Sequence, residues 1–216
     1  MDFAYDSDML TLTLPSGRTL ILAGAAALVV VALGAGGWYW HTASQRHAMA
    51  AYADAMTRAQ PAFAPQATAD AKAAGVRELE RALSQYPSGP GAAQVAYELG
   101  NLRYDAQQYV QARGAWEMAV AQGPPQTIKT LSQGGIAYTW EAERNYPKAV
   151  EAFKIALTGL GPKDFDYEDL ILGLARTQEL AGQKADAIAT YRRALAELAQ
   201  GHRVEEIKAR LAALGA

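Results

Sequence analysis

The feature that most constrains this chain is a period. Ala82, Ala119, Ala156 and Ala194 recur at intervals of 37, 37 and 38 residues. Each lies three positions after a large apolar or aromatic residue: Leu79, Trp116, Phe153 and Tyr191. Ala112, Ala149 and Ala187 stand four positions before the three aromatic residues, and proline follows at Pro87, Pro124 and, one position late, Pro162. Offsets of three and four place side chains on one helix face. A fixed period of this size marks supersecondary units that bury their apolar faces only by stacking. Prolines and glycines punctuate the intervals at Pro61, Pro65, Pro87 to Gly91, Gly123 to Pro125, Gly159 to Pro162, Gly182 and Gly201. Beyond residue 41 no run alternates apolar and polar residues for long enough to predict a strand.

The order Ala, three residues, an aromatic, two residues, Ala, four residues, Pro resembles the second-helix signature of tetratricopeptide repeats. Ala112, Trp116, Ala119 and Pro124 match it throughout. The matching first-helix signature, a large apolar residue followed by a small one, is found at Leu99-Gly100, Ile136-Ala137 and Leu174-Ala175. Small residues admit the neighbouring helix and the ring fills the space between paired helices, which gives the 47 alanines a structural cause. Clear repeats cover about 92–200, a degenerate one ends at Pro87, and the extra residues fall in turns such as Ser88 to Gly91. A last helix, Arg203 to Leu214, carries Val204, Ile207, Leu211 and Leu214 at a spacing suited to closing the open end of a solenoid.

A different pattern precedes the repeats. Leu20 to Trp40 is a run of 21 residues without a charge, and at about 1.5 Å per residue it matches the roughly 30 Å hydrocarbon core of a bilayer. Arg18 stands at one end and Trp38, Tyr39 and Trp40 at the other, residues suited to a membrane interface. A cleaved signal peptide would begin with a short basic segment, whereas Asp2, Asp6 and Asp8 make this flank acidic. Arg46 and Arg58 on the far side leave the orientation undecided by charge. The predicted class is therefore all-α, an N-terminal transmembrane helix followed by a tetratricopeptide-repeat-like α-solenoid. Its boundaries are a tail at 1–17, a span at 18–41, repeats at 42–202 and a capping helix at 203–216.

The whole arrangement is similar to a bacterial family, the bitopic ancillary subunit of the Sec translocon. The resemblance rests on the span closing in Gly37-Trp38-Tyr39-Trp40, the Ala-rich helix Ser44 to Gln60, and the repeats. It implies a cytoplasmic N-terminus, residues 41–216 in the periplasm, and association with the translocon and chaperones. The tail departs from the family: Asp2 to Ser16 is acidic and interrupted by Pro15, where members open with a charged amphipathic helix.

Composition removes several chemistries. The absence of cysteine excludes thiolate metal sites, disulfides and a cysteine nucleophile. Residues 41–216 carry 19 charges of each sign, leaving no basic face to track nucleic acid. His202, Glu205 and Glu206 have helical spacing that could hold a metal edge-on, but read better as a polar helix start. Asp164, Asp166, Glu168 and Asp169 lack the glycine turn and distant glutamate of a calcium loop. Asp164 or Asp166 as N-cap, with Glu168 and Asp169 in the first turn, explains them. Gly134-Gly135 follows no strand and lacks a P-loop lysine. No enzyme, cofactor, metal or small-molecule substrate is predicted.

Repeats of this kind present a wall of first helices. The register places Tyr97, Asn101 and Tyr104, then Tyr138 with Glu141, then Arg176 with Glu179, on that wall as a protein-binding groove. Tyr97, Asn101 and Tyr104 share one helix face, and tyrosine and arginine are favoured contact residues. The same tyrosines could instead pack against neighbouring helices. The basic array of a groove that clamps peptide carboxylates is missing. The sequence thus predicts a membrane-anchored interaction scaffold, or else a permanent accessory subunit of another inner-membrane complex docked through its span. The partners expected are proteins at the membrane, with lipid around residues 20–40.

Overall fold

The computed structural model describes residues 17–198 and 203–216, with only the backbone at 17, 19–21, 23, 24, 26 and 27. The tail at 1–16 and His202 lie outside the described residues. In chain order the elements are α1 (Gly17–Ala59), a 3-10 turn (Gln60–Phe63), α2 (Ala69–Gln85), α3 (Ala92–Asp105), α4 (Tyr109–Ala121), α5 (Gln126–Ala142), α6 (Tyr146–Ala156), α7 (Tyr167–Leu180), α8 (Lys184–Glu197) and α9 (Val204–Ala213). The chain divides into two compact units, Met1–Arg46 and His47–Ala216.

In the first unit the described residues are the early turns of α1. Leu28, Val29, Val30, Val31 and Leu33 are exposed, as are Trp38, Tyr39 and Trp40 at 71–74%. Thr42 donates its hydroxyl to the Trp38 and Tyr39 carbonyls, both at 3.0 Å, and so satisfies itself on the helix. Among the described residues no helix is long and apolar enough to cross a membrane. Positions 19–21, 23, 24, 26 and 27 of the predicted span lie outside the described side chains.

The second unit is built of helix pairs where the repeat register predicts them. α3, α5 and α7 are first helices, and α4, α6 and α8 are their partners. The end of α1 and α2 form the degenerate pair. Ala48, Tyr52, Ala55 and Ala59 are buried along α1, with Leu79 and Ala82 buried on α2. Thr68 caps α2 by accepting from the Ala71 amide at 3.2 Å, one of the donors a helix start leaves orphaned. The recurrent alanines Ala112, Ala119, Ala149, Ala187 and Ala194 are all fully buried.

The Trp116 ring is seated by small residues on two first helices. The Trp116 indole donates to the Tyr97 carbonyl at 3.2 Å. Gly100 on α3 and Gly135 on α5 face the same ring from two sides; a Cβ at Gly135 would meet it at 2.8 Å. Phe153 is approached in the same way by α7 one unit later, where a Cβ at Gly173 would meet its ring at 2.6 Å. Gly135 therefore serves packing. Between α4 and α5, Arg113 lies 3.6 Å over the Trp140 ring and pairs with Glu143 at 2.6 Å. Its burial is compatible with charge because both partners are present. At the far end Ile207 and Leu211 of α9 are buried in one cluster with Tyr167, Ile171 and Tyr191, as a cap requires.

The acidic stretch before α7 departs from expectation. Asp166 stands at the N-cap with φ 69°, yet its side chain makes no capping bond. Asp164 instead accepts from the Gly161 amide at 2.6 Å within the preceding turn. Glu168 and Asp169 occupy the first turn as predicted.

Candidate binding groove

The first helices carry a continuous ribbon of polar and aromatic side chains. On α3, Glu98 accepts from Gln94 at 2.7 Å and from Asn101 at 3.1 Å. On α5 and α7, Glu141 and Arg176 make a two-pronged ion pair at 2.7 and 2.8 Å. Paired hydrogen bonds of this kind are among the stronger polar contacts. Glu179 accepts from the Tyr191 hydroxyl at 3.3 Å and lies 3.7 Å from Arg210 of α9. Asp169 pairs with Arg203 at 2.9 Å, so the capping helix belongs to the same ribbon.

At its α3–α5 end the ribbon opens into a cavity of about 300 Å³, lined by Tyr97, Asn101, Tyr104, Trp116, Leu131, Gly134, Gly135, Tyr138, Asp166 and Asp169. Helix spacing on α3 and stacking of α5 beside it bring Tyr97, Asn101, Tyr104 and Tyr138 together. Tyr104 also packs against Tyr109 and Trp116, with ring centroids 5.5 and 5.8 Å away. Tyr138 stands edge-on to Phe153 at 5.0 Å and donates its hydroxyl to the Asp169 carbonyl at 3.3 Å. These two tyrosines are thus both packed and presented. Glu141, Arg176 and Glu179 lie along the ribbon outside the cavity lining, already engaged with one another or with α8 and α9.

The electrostatics follow from this packing. Burial pushes the Tyr138 phenol up to about 12, with the nearby Asp169 charge adding to the effect. Burial, chiefly, also raises Tyr104. Asp166 is held above the usual carboxylate range by desolvation and then by Asp169. Sequence reasoning missed Asp166, Asp169 and Trp116 as cavity residues. Trp116 belongs to a second helix, and the two acids sit in a turn and first turn that the first-helix register does not reach. Among the described residues no three His, Asp or Glu side chains are grouped to hold a metal. Glu205 and Glu206 instead pair with Lys208 and Arg203, each at 2.8 Å.

No family model matches this chain, and neither does any curated protein. Among solved structures, one described as MamA AMB-1 is similar at 23% identity, covering 78% of this chain and 94% of that one with a TM-score of 0.48. An overlap so loose carries no inference about function.

Proposed function

We propose that this chain is a non-enzymatic interaction scaffold that presents its first-helix groove to protein partners. The observation that carries the reading is the cavity joining Tyr97, Asn101, Tyr104 and Tyr138. These residues come from two repeats, and their amphipathic rings suit recognition because they bury area while keeping a polar tip. The finer reading is a scaffold anchored in the inner membrane through residues 18–41, with the N-terminus cytoplasmic and the repeats periplasmic. Its support is the uncharged run from Leu20 to Trp40 and the exposure of its described apolar side chains. Anchoring raises the local concentration of a modest groove near a membrane complex. The partner the family resemblance suggests is the Sec translocon with its emerging substrates.

The test is photo-cross-linking in native membranes from a benzoylphenylalanine placed at Tyr97, with a second probe at exposed Arg192 on α8. Partners captured from position 97 alone support the groove, and translocon subunits among them support the Sec assignment. One stoichiometric partner from another complex supports a permanent accessory subunit in its place. Capture from position 192 alone removes the groove reading. Cleavage of the repeats by protease from the cytoplasmic side alone removes the periplasmic placement.

A further inference from the structure

The cavity has a charge pattern that selects its occupant. Along the ribbon, Glu141, Asp169 and Glu179 each have an arginine partner. Two acids do not. Among the described residues Glu98 is held only by neutral amides, and the Asp166 carboxylate has neither an ion pair nor a hydrogen bond. Asp166 lines the cavity, and Glu98 accepts from Asn101, which lines it too. Tyr97, Tyr104 and Tyr138 line the cavity together with Asp166. Gly134 keeps the floor clear, since even a Cβ there would come within 3.7 Å of the Asp166 carboxylate and 3.0 Å of Leu170.

We propose that this cavity is a cation pocket, which receives a lysine or arginine side chain from an extended basic segment of a partner protein. The proposal rests on the groove reading and adds the chemistry of what the groove takes. Aromatic faces attract cations through their quadrupole, most strongly where water is displaced. The same faces, with an uncompensated carboxylate beside them, oppose a peptide's C-terminal carboxylate. Desolvation already burdens the Asp166 charge, so a cation entering the cavity restores the partner it lacks. At about 300 Å³ the cavity lies at the bottom of the range for small-molecule sites and suits one long side chain. Glu141, Asp169 and Glu179 are already paired, and Glu168, whose buried Oε1 has no hydrogen-bond partner among the described residues, lies outside the cavity lining.

The test uses the full chain in detergent micelles and three fluorescent ten-residue peptides of one Ala/Gly framework. The first carries three lysines, the second three acetyl-lysines and the third three glutamates. Polarisation is expected to give saturable binding of the lysine peptide only. Asp166→Asn should weaken that binding at least ~10-fold, the scale of a desolvated cation contact, with helicity and melting unchanged. Asp186→Asn, at an exposed acid of α8 outside the cavity, should leave it unaltered. Binding of the acetylated or glutamate peptide with equal affinity overturns the cation assignment and leaves the groove standing. Failure of all three peptides, with cross-links from position 97 also absent, removes the groove reading itself. Lysine amide binding as tightly as the peptide, or self-association that Asp166→Asn abolishes, overturns the assignment of a partner segment.

Discussion

Tyr138, Tyr167 and Tyr191 show how single residues tie the groove to the stability of the fold. Their phenols are each pushed up to about 12, chiefly by burial, with neighbouring carboxylates adding to the effect. Tyr167 donates to Glu197 and receives Arg193 at 2.8 Å. Tyr191 donates to Glu179 at 3.3 Å. The folded state holds these protons more tightly than an unfolded chain whose tyrosines titrate near ~10. Below the unfolded value both states are protonated and the contribution is complete. Above it the unfolded chain ionises first, so stability falls through the interval up to about 12. Thermal melting from pH 8 to 11.5 should therefore show a plateau followed by a steepening fall. Absorbance at 295 nm should show the buried tyrosines ionising together with unfolding. A flat melting temperature across that range would contradict the burial assigned to these hydroxyls. Replacing Tyr167 and Tyr191 together with Phe should flatten the fall without removing it, because Tyr138 remains.

At the scale of elements, the turns within the helix pairs repeat more faithfully than their sequences. Gln107, Arg144 and Gly182 all hold a left-handed backbone, with φ of 59°, 59° and 75°. Each turn closes the same way: the next amide reaches back to a carbonyl five residues earlier, from Gln108 to Arg103, Asn145 to Trp140 and Gln183 to Gln178, each at 2.9 Å. This is the arrangement that ends helices with glycine at the left-handed position, and only the third repeat uses glycine there. Arg144→Gly should stabilise the chain by about 0.5–1 kcal/mol and Gly182→Ala should destabilise it by about 1 kcal/mol, read from chemical denaturation. Stabilisation by both substitutions would deny that the turns are equivalent. The same contrast explains what the sequence made legible. The buried faces were readable because close packing leaves few choices at Ala112, Trp116 and Ala119. The two non-glycine turns were not, because an exposed left-handed position tolerates Gln or Arg at small cost. The cavity was half legible: its tyrosines follow helix spacing, whereas Asp166 enters from a turn whose length varies between repeats.

For the repeat unit as a whole, the stacking of helix pairs makes stability a nearest-neighbour property. α3 to α9 each pack mainly on the elements adjacent in sequence, with added contacts from each first helix to the next, α3 to α5 and α5 to α7, and from α7 to α9 through Ile207 and the Glu179–Arg210 pair. Burial divides accordingly, with Tyr167, Tyr191, Ile207 and Leu211 in a cluster separate from that of Tyr52, Leu79 and Leu99. In such an array each interface contributes its own increment, and a terminal unit needs a cap. Ile207, only 1% exposed, is the centre of that cap. Ile207→Ala should cost about 2–5 kcal/mol at the site. A globally cooperative fold would distribute the loss evenly over every helix. A linear array would instead open from the damaged end, since α9 packs on α8 and α7, several elements away from α3 and α4. Amide hydrogen exchange on Ile207→Ala should therefore show protection falling most in α8 and α9, less in α7, and little in α3 and α4. Because Arg203 at the N-cap of α9 and Arg210 within it hold Asp169 and Glu179, the same variant should loosen the ion-paired end of the ribbon while Tyr97 and Asn101 keep their order. Uniform loss of protection would mean that the repeats fold as one block and that the groove cannot yield from one end.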